Sequence, residues 1–117
     1  MPQEWSDRIL ISELADEPAL SEELASLHDR IEAAAPDDAQ DVVLNFSGVT
    51  FLNSSNIAQV LKLRATLQDR DRTLLCCSLG DQVWSIMLLT GLDKVLKFAP
   101  DPASAIASLQ LSEDADD

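Results

Sequence analysis

Four consecutive polar residues, Asn53, Ser54, Ser55 and Asn56, separate the apolar stretch VTFL (49–52) from a helix-period pattern that begins at Ile57. Polar side chains at a helix entrance point first to capping. A side-chain oxygen there accepts a hydrogen bond from an otherwise unpaired backbone N–H and caps the helix, worth about 1 kcal/mol. Taken alone, the two serines are read as capping residues. All four residues are capping types, so the sequence leaves open which one fills the cap.

The remaining reactive side chains do not combine into a catalytic set. Cys76 and Cys77 are adjacent within the apolar run TLLCCSL (73–79). Neighbours along a strand point to opposite faces, so a disulfide between them would be strained, and packed, reduced thiols are expected. A redox pair and a thiol nucleophile are the competing readings. His28 is the single histidine and falls on the polar side of its helix pattern, which reads as a solvated side chain. One histidine anchors no familiar metal cluster, and neither G-x-S-x-G nor a P-loop occurs. The residues therefore imply no catalytic site, no metal and no cofactor.

The chain carries 21 Asp and Glu against 8 Lys and Arg, a formal net charge of −13, which disfavours nucleic acid and anionic membrane as partners. Acidic residues gather at Asp16 and Glu17, at Glu22 and Glu23, at Asp37, Asp38 and Asp41, and in the tail SEDADD (112–117), and read as a solubility coat. The start MPQEWSDR has neither a basic region nor an apolar core, and no apolar run approaches about 18 residues. A cytoplasmic protein without membrane insertion is expected. Hydrophobic residues make up 46% and aromatics only 4%, so the core must be aliphatic.

The elements that hold these residues follow from periodicity. RILISEL (8–14) reads as a first strand at or near a sheet edge, with Trp5 ahead of it as cover for the sheet. Pro18 opens a helix whose Leu20, Leu24, Leu27 and Ile31 form one stripe, and Pro36 with the acidic pair after it closes the segment. Val42, Val43, Leu44 and Phe46 form a nearly continuous apolar run, as in a strand covered on both faces. The next helix buries Ile57, Val60, Leu61 and Leu67 and exposes Gln59, Lys62 and Gln68, with Arg64 snorkelling from the stripe. After TLLCCSL, Gly80 and Asp81 start a helix through Val83, Ile86, Met87 and Leu89 that stops at Gly91, and Leu92 packs back on its last turn. Trp84 reads as the margin of the core, or as a binding anchor where exposed. KVLKF (94–98) is a final strand, and Asp101 with Pro102 caps a last helix with Ile106 and Leu109 inward. Alternating strands and helices with short connections define a single α/β domain with a mixed, mostly parallel sheet. Residues 1–111 form the domain, and 112–117 an acidic tail expected to be disordered.

The stretch DVVLNFSGVTFLNSSNIAQVLKLR (41–64) resembles the signature of the STAS domain family, of the anti-sigma factor antagonist type. LLTGLDKVLKF (88–98) is similar to a later segment of the same family, and the resemblance covers roughly 9–109. It implies a small α/β domain with the helices on one side of a mixed sheet. The family's Asp-Ser-Ser/Thr-Gly becomes Asn53-Ser54-Ser55-Asn56, so the phosphorylated position falls on Ser54, with Ser55 as fallback. Loss of the acid at 53 bears on kinase recognition, and loss of Gly at 56 on how closely a partner approaches.

The resemblance further implies a non-enzymatic module that docks on a serine kinase/anti-sigma factor while the serine is free. Phosphorylation releases it, and a separate phosphatase resets it. Asn53, Ser54, Ser55, Asn56 and Gln59 would form the contact, with Trp84 beyond them. The alternative is a non-phosphorylated scaffold or accessory subunit, such as the cytoplasmic STAS partner of a lipid-transport ATPase. The family usually opens with a hairpin, whereas one strand is legible here. An uncovered edge at 8–14 would pair with a second copy as a homodimer, which light scattering would read.

Overall fold

The strand β3 (Asp41–Gly48) runs through the middle of the molecule, and its first six residues are buried without a break. Such a run requires cover on both faces. β2 (Ile9–Ala15) and β4 (Leu74–Cys77) flank it in parallel, β5 (Lys97–Ala99) pairs in parallel with β4, and β1 (Pro2–Glu4) pairs antiparallel with β2. The sheet order is β1-β2-β3-β4-β5. The computed structural model describes residues 2–4, 6 and 8–115; Trp5 lies outside them.

Consecutive strand residues serve two cores. Leu10, Val42, Leu44, Leu74 and Cys76 face α1 (Ala19–Ala33), α2 (Ser54–Gln68) and α3 (Asp81–Thr90). Their neighbours Ile9, Val43, Leu75 and Cys77 face α4 (Pro102–Ala115) through Ala105 and Leu109. The helices thus cover both faces, not one as the resemblance implied. Each fully buried Leu or Val contributes roughly 1.5–3 kcal/mol, so the aliphatic α1–α3 side carries most of the stability.

The expected uncovered edge is corrected: β1 completes a hairpin with β2. Three residues that include Pro2 are too short to show a period. The final strand is also shorter than expected. Leu92–Lys94 forms a 3-10 turn, and Leu92 and Leu96, each 6% exposed, enter the core from that turn, so β5 begins only at Lys97. Gly91 ends α3 at φ 75° as anticipated. Asp101 Oδ1 accepts the Ser104 N–H at 2.7 Å at the start of α4. α4 continues to Ala115, so 112–115 lie within the helix and not beyond it.

Two polar residues expected at the surface are inside. Asp41 is 5% exposed; it accepts the Thr73 N–H at 2.8 Å and stands 3.8 Å from the Arg72 guanidinium, joining the starts of β3 and β4. The His28 side chain is only 12% exposed, wedged between α1 and α2 with Thr66 Oγ1 at 3.1 Å and Glu32 Oε1 at 2.9 Å.

Candidate functional site

Parallel strands deliver their C-terminal ends, and the loops that follow, to one end of the sheet. There the loop after β2 is tied to the loop after β3: Thr50 donates its N–H and its hydroxyl to the two Asp16 carboxylate oxygens, each at 2.8 Å. These bonds hold the Asp16 carboxyl below its ordinary value, the backbone N–H contributing most. Gly48, where β3 ends, lies so close to β2 that a Cβ there would stand 2.8 Å from the Leu14 carbonyl oxygen. The β2–β3 register shifts between Glu13 and Ala15 at the same level.

From this braced loop the chain enters α2 through a capping box. Asn53, extended at φ −91° and ψ 174°, accepts the Asn56 N–H at 2.8 Å, and Asn56 Oδ1 accepts the Asn53 N–H at 3.0 Å. Leu52 and Ile57, at the two positions of a hydrophobic staple, both join the core on the α1–α3 side. The cap left open by the sequence is therefore Asn53. Asn56 is fully buried, and its Nδ2 has no hydrogen-bond partner among the described residues. The nearby Glu17 carboxyl is held below its ordinary value chiefly by the Ser21 N–H at 2.6 Å.

With the cap filled by asparagines, Ser54 and Ser55 occupy the first two helical positions, both exposed. Their N–H groups precede the first intrahelical bond, from Ile57 N to Asn53 O at 3.1 Å, and belong to the unpaired donors of a helix start. Phe51, 62% exposed, projects from the loop three residues before Ser54. The chain alternates here, Leu52 inward and Phe51 outward.

Gln59 is half-buried and turned toward α1, donating Nε2 to the Ser21 carbonyl at 3.1 Å. Trp84, in the first turn of α3, is 38% exposed and stacks edge-on against Phe98, ring centroids 5.2 Å apart. Leu88 and Leu89 follow it, 52% and 87% exposed. Sequence reasoning did not single out Phe51 or Leu88; strand-like alternation ahead of the cap was the available signal for Phe51.

The two thiols sit deep in the sheet. Burial pushes Cys76 up to about 12 and also raises Cys77, so both remain protonated near neutrality and are poor nucleophiles. Among the described residues no group of three or more His, Cys, Asp or Glu is arranged to hold a metal ion, and no helix is long and apolar enough to cross a membrane.

A mixed sheet with a serine-bearing helix start at its C-terminal end is the architecture of a STAS domain. The profile of the family described as "Mlab, STAS domain" matches residues 18–97, and the chain belongs to that family. Solved structures of similar fold include an anti-sigma-factor antagonist (STAS) domain protein from Planctomyces limnophilus, at 14% identity, 94% and 97% coverage of the two chains and TM-score 0.78. The Bacillus cell fate determinant SpoIIAA in its phosphorylated form is similar at 16% identity, 92% and 96% coverage and TM-score 0.68. A sulfate transporter family protein from Wolinella succinogenes is similar at 14% identity, 88% and 85% coverage and TM-score 0.74.

Proposed function

We propose that this protein is a cytoplasmic, non-enzymatic docking module whose contact surface is the entrance of α2 and whose state is set by a phosphate on Ser54. The observation that carries this reading is the division of labour at the cap. Asn53 and Asn56 satisfy the helix start, so the exposed Ser54 hydroxyl has no structural duty to lose. A serine kinase/anti-sigma factor would transfer the γ-phosphoryl of ATP to Ser54 Oγ, the hydroxyl proton leaving to a base on the kinase and ADP departing. A phosphatase would return the hydroxyl by hydrolysis.

Free N–H groups and the helix dipole stabilise the dianion without unfolding the module. The same dianion in the middle of a contact adds bulk and desolvation cost, and the partner leaves. Phe51 supplies an apolar anchor three residues from the switch; Trp84 is the second candidate anchor.

Phosphosite mapping by mass spectrometry on protein from its native cells tests this, with Ser54→Ala as control. Phosphate at Ser54 that changes between growth and stress supports the switch. Its persistent absence from both Ser54 and Ser55 overturns it.

A second reading has its own support. The matching family profile is the one described as Mlab, and amides occupy 53 and 56 where the regulatory signature has an acid and a glycine. On that reading the chain is a constitutive accessory subunit, such as the STAS partner of a lipid-transport ATPase. Co-purification with an ATPase, unchanged by Ser54→Ala or Ser54→Asp, would select it.

A further inference from the structure

The face of α3 turned away from the sheet is apolar. Val83 and Met87 seat the helix in the core, whereas Trp84, Leu88 and Leu89 stand 38%, 52% and 87% exposed. Trp84 and Leu88 are four residues apart, as are Ser85 and Leu89, so these side chains lie together over neighbouring turns of one face. A single exposed leucine is ordinary. A contiguous apolar face on a chain of net charge −13 calls for something that covers it.

The polar groups of α3 do not require water on this side. Ser85 donates its hydroxyl to the Asp81 carbonyl at 2.9 Å, and Thr90 donates to the Ile86 carbonyl at 2.7 Å, so both hydrogens turn back onto the helix itself. No charged residue occurs between Asp81 and Asp93. Charge therefore stands only at the two ends, with Asp81 where α3 starts and Asp93 and Lys94 in the turn after Gly91. Among the described residues neither Asp81 nor Lys94 has an ion-pair partner.

We propose that this face binds a second copy of the same chain, α3 against α3 and antiparallel about a two-fold axis. Such an axis needs one patch that complements itself. Antiparallel packing sets Trp84 of each copy toward the Leu88–Leu89 end of the other, with the small Ser85 near the axis. It also carries Asp81 of each copy to the end where the other has Lys94, so two contacts of opposite sign flank an uncharged centre, and opposite ends of the two helix dipoles meet. A parallel arrangement would set Asp81 against Asp81 and Lys94 against Lys94. Ten residues make α3 about 15 Å long, so the contact falls below the roughly 1,200 Å² of a permanent complex. The dimer is accordingly reversible, with a Kd on the order of 100 µM. It does not rest on the phosphate switch at Ser54.

The test is sedimentation equilibrium of the full chain from about 5 µM to about 500 µM at physiological salt, where a reversible dimer shows its concentration dependence. The weight-average mass should rise from 12.8 kDa toward twice that value and no further. Leu89→Asp alters a side chain that is 87% exposed, so the fold is retained, and it should weaken association about tenfold or more by placing two carboxylates across the axis. Leu111→Asp, on the exposed side of α4, should leave association unchanged. Lys94→Glu should weaken it several-fold more than Lys62→Glu, which makes the same charge change on α2. A monomer at every concentration would overturn the proposal and leave the face to a different protein. Growth beyond the dimer, parental association in Leu89→Asp, or equal losses in Leu111→Asp and Leu89→Asp would overturn it as well.

Discussion

Replacing Asn53 by alanine should destabilise the protein while replacing Ser54 should not, and that contrast tests the structural basis of the proposed switch. Asn53→Ala removes the acceptor of the Asn56 N–H, a 2.8 Å bond at a half-buried helix start. Loss of an asparagine cap costs about 1 kcal/mol, within a range of roughly 0.5–2. For a chain of 117 residues that is about 4 °C in melting temperature. Asn56→Ala loses the reciprocal 3.0 Å bond but also removes a buried Nδ2 that has no partner among the described residues, so the two effects partly cancel. Because both asparagines belong to one box, the double variant should lose less than the sum of the singles. Ser54→Ala and Ser55→Ala alter exposed side chains outside the cap and should stay within about 0.5 kcal/mol of the parent. Urea and thermal melts followed by circular dichroism give all five values. A Ser54→Ala loss as large as that of Asn53→Ala would mean that the serine holds the helix end, and the argument that its hydroxyl is available for phosphate would fail.

Other outcomes follow from the same bracing. Gly48→Ala would drive a methyl to 2.8 Å from the Leu14 carbonyl oxygen, with backbone on both sides, and should cost about 1–3 kcal/mol in a urea melt. Asp16 has its folded-state value depressed below the ordinary 3.8 by Thr50, so its contribution is present above that value and is lost as pH falls through the lower folded one. Melts from pH 6 to pH 2 should therefore show a fall in stability below about pH 4 that is shallower in Asp16→Asn; an unchanged slope would remove the Asp16–Thr50 tie from the account. Native protein should resist a thiol reagent at pH 8 and label at both cysteines only when unfolded, since Cys76 is raised to about 12 and Cys77 is also buried. Rapid stoichiometric labelling of the folded state would reopen the reading of a cysteine nucleophile.

The parts of the fold legible in the sequence are those where one periodic pattern met one environment. Leu20, Leu24, Leu27 and Ile31 are the buried residues of α1, as their spacing of four, three and four requires. The unbroken run in β3 meant cover on both faces, and α4 supplies the second layer. Where a segment was too short for a period, the pattern failed. Three residues of β1 gave no alternation, and Lys94, Val95 and Leu96 were read into the final strand although the 3-10 turn Leu92–Lys94 delays it to Lys97. In α3 the apolar residues exceed the width of the buried stripe, and only Val83 and Met87 are fully buried.

The entrance of α2 was legible in its position and not in its division of roles. Asn53, Ser54, Ser55 and Asn56 have nearly equal capping propensity, so local chemistry could not choose among them. The choice is made by Leu52 and Ile57, which both enter the core and thereby fix where the helix begins. Once Leu52 is anchored, Asn53 is the last extended residue, Asn56 turns inward beneath it, and the serines are left at the first two helical positions facing solvent. Phe51 is left outside by the same anchoring. The hydroxyl proposed as the switch and the aromatic proposed as its neighbouring anchor thus share one cause, the inward seating of Leu52. A polar substitution there, such as Leu52→Asn, should disturb the cap and the docking surface together, whereas Phe51→Ala should weaken partner capture and leave the melt unchanged.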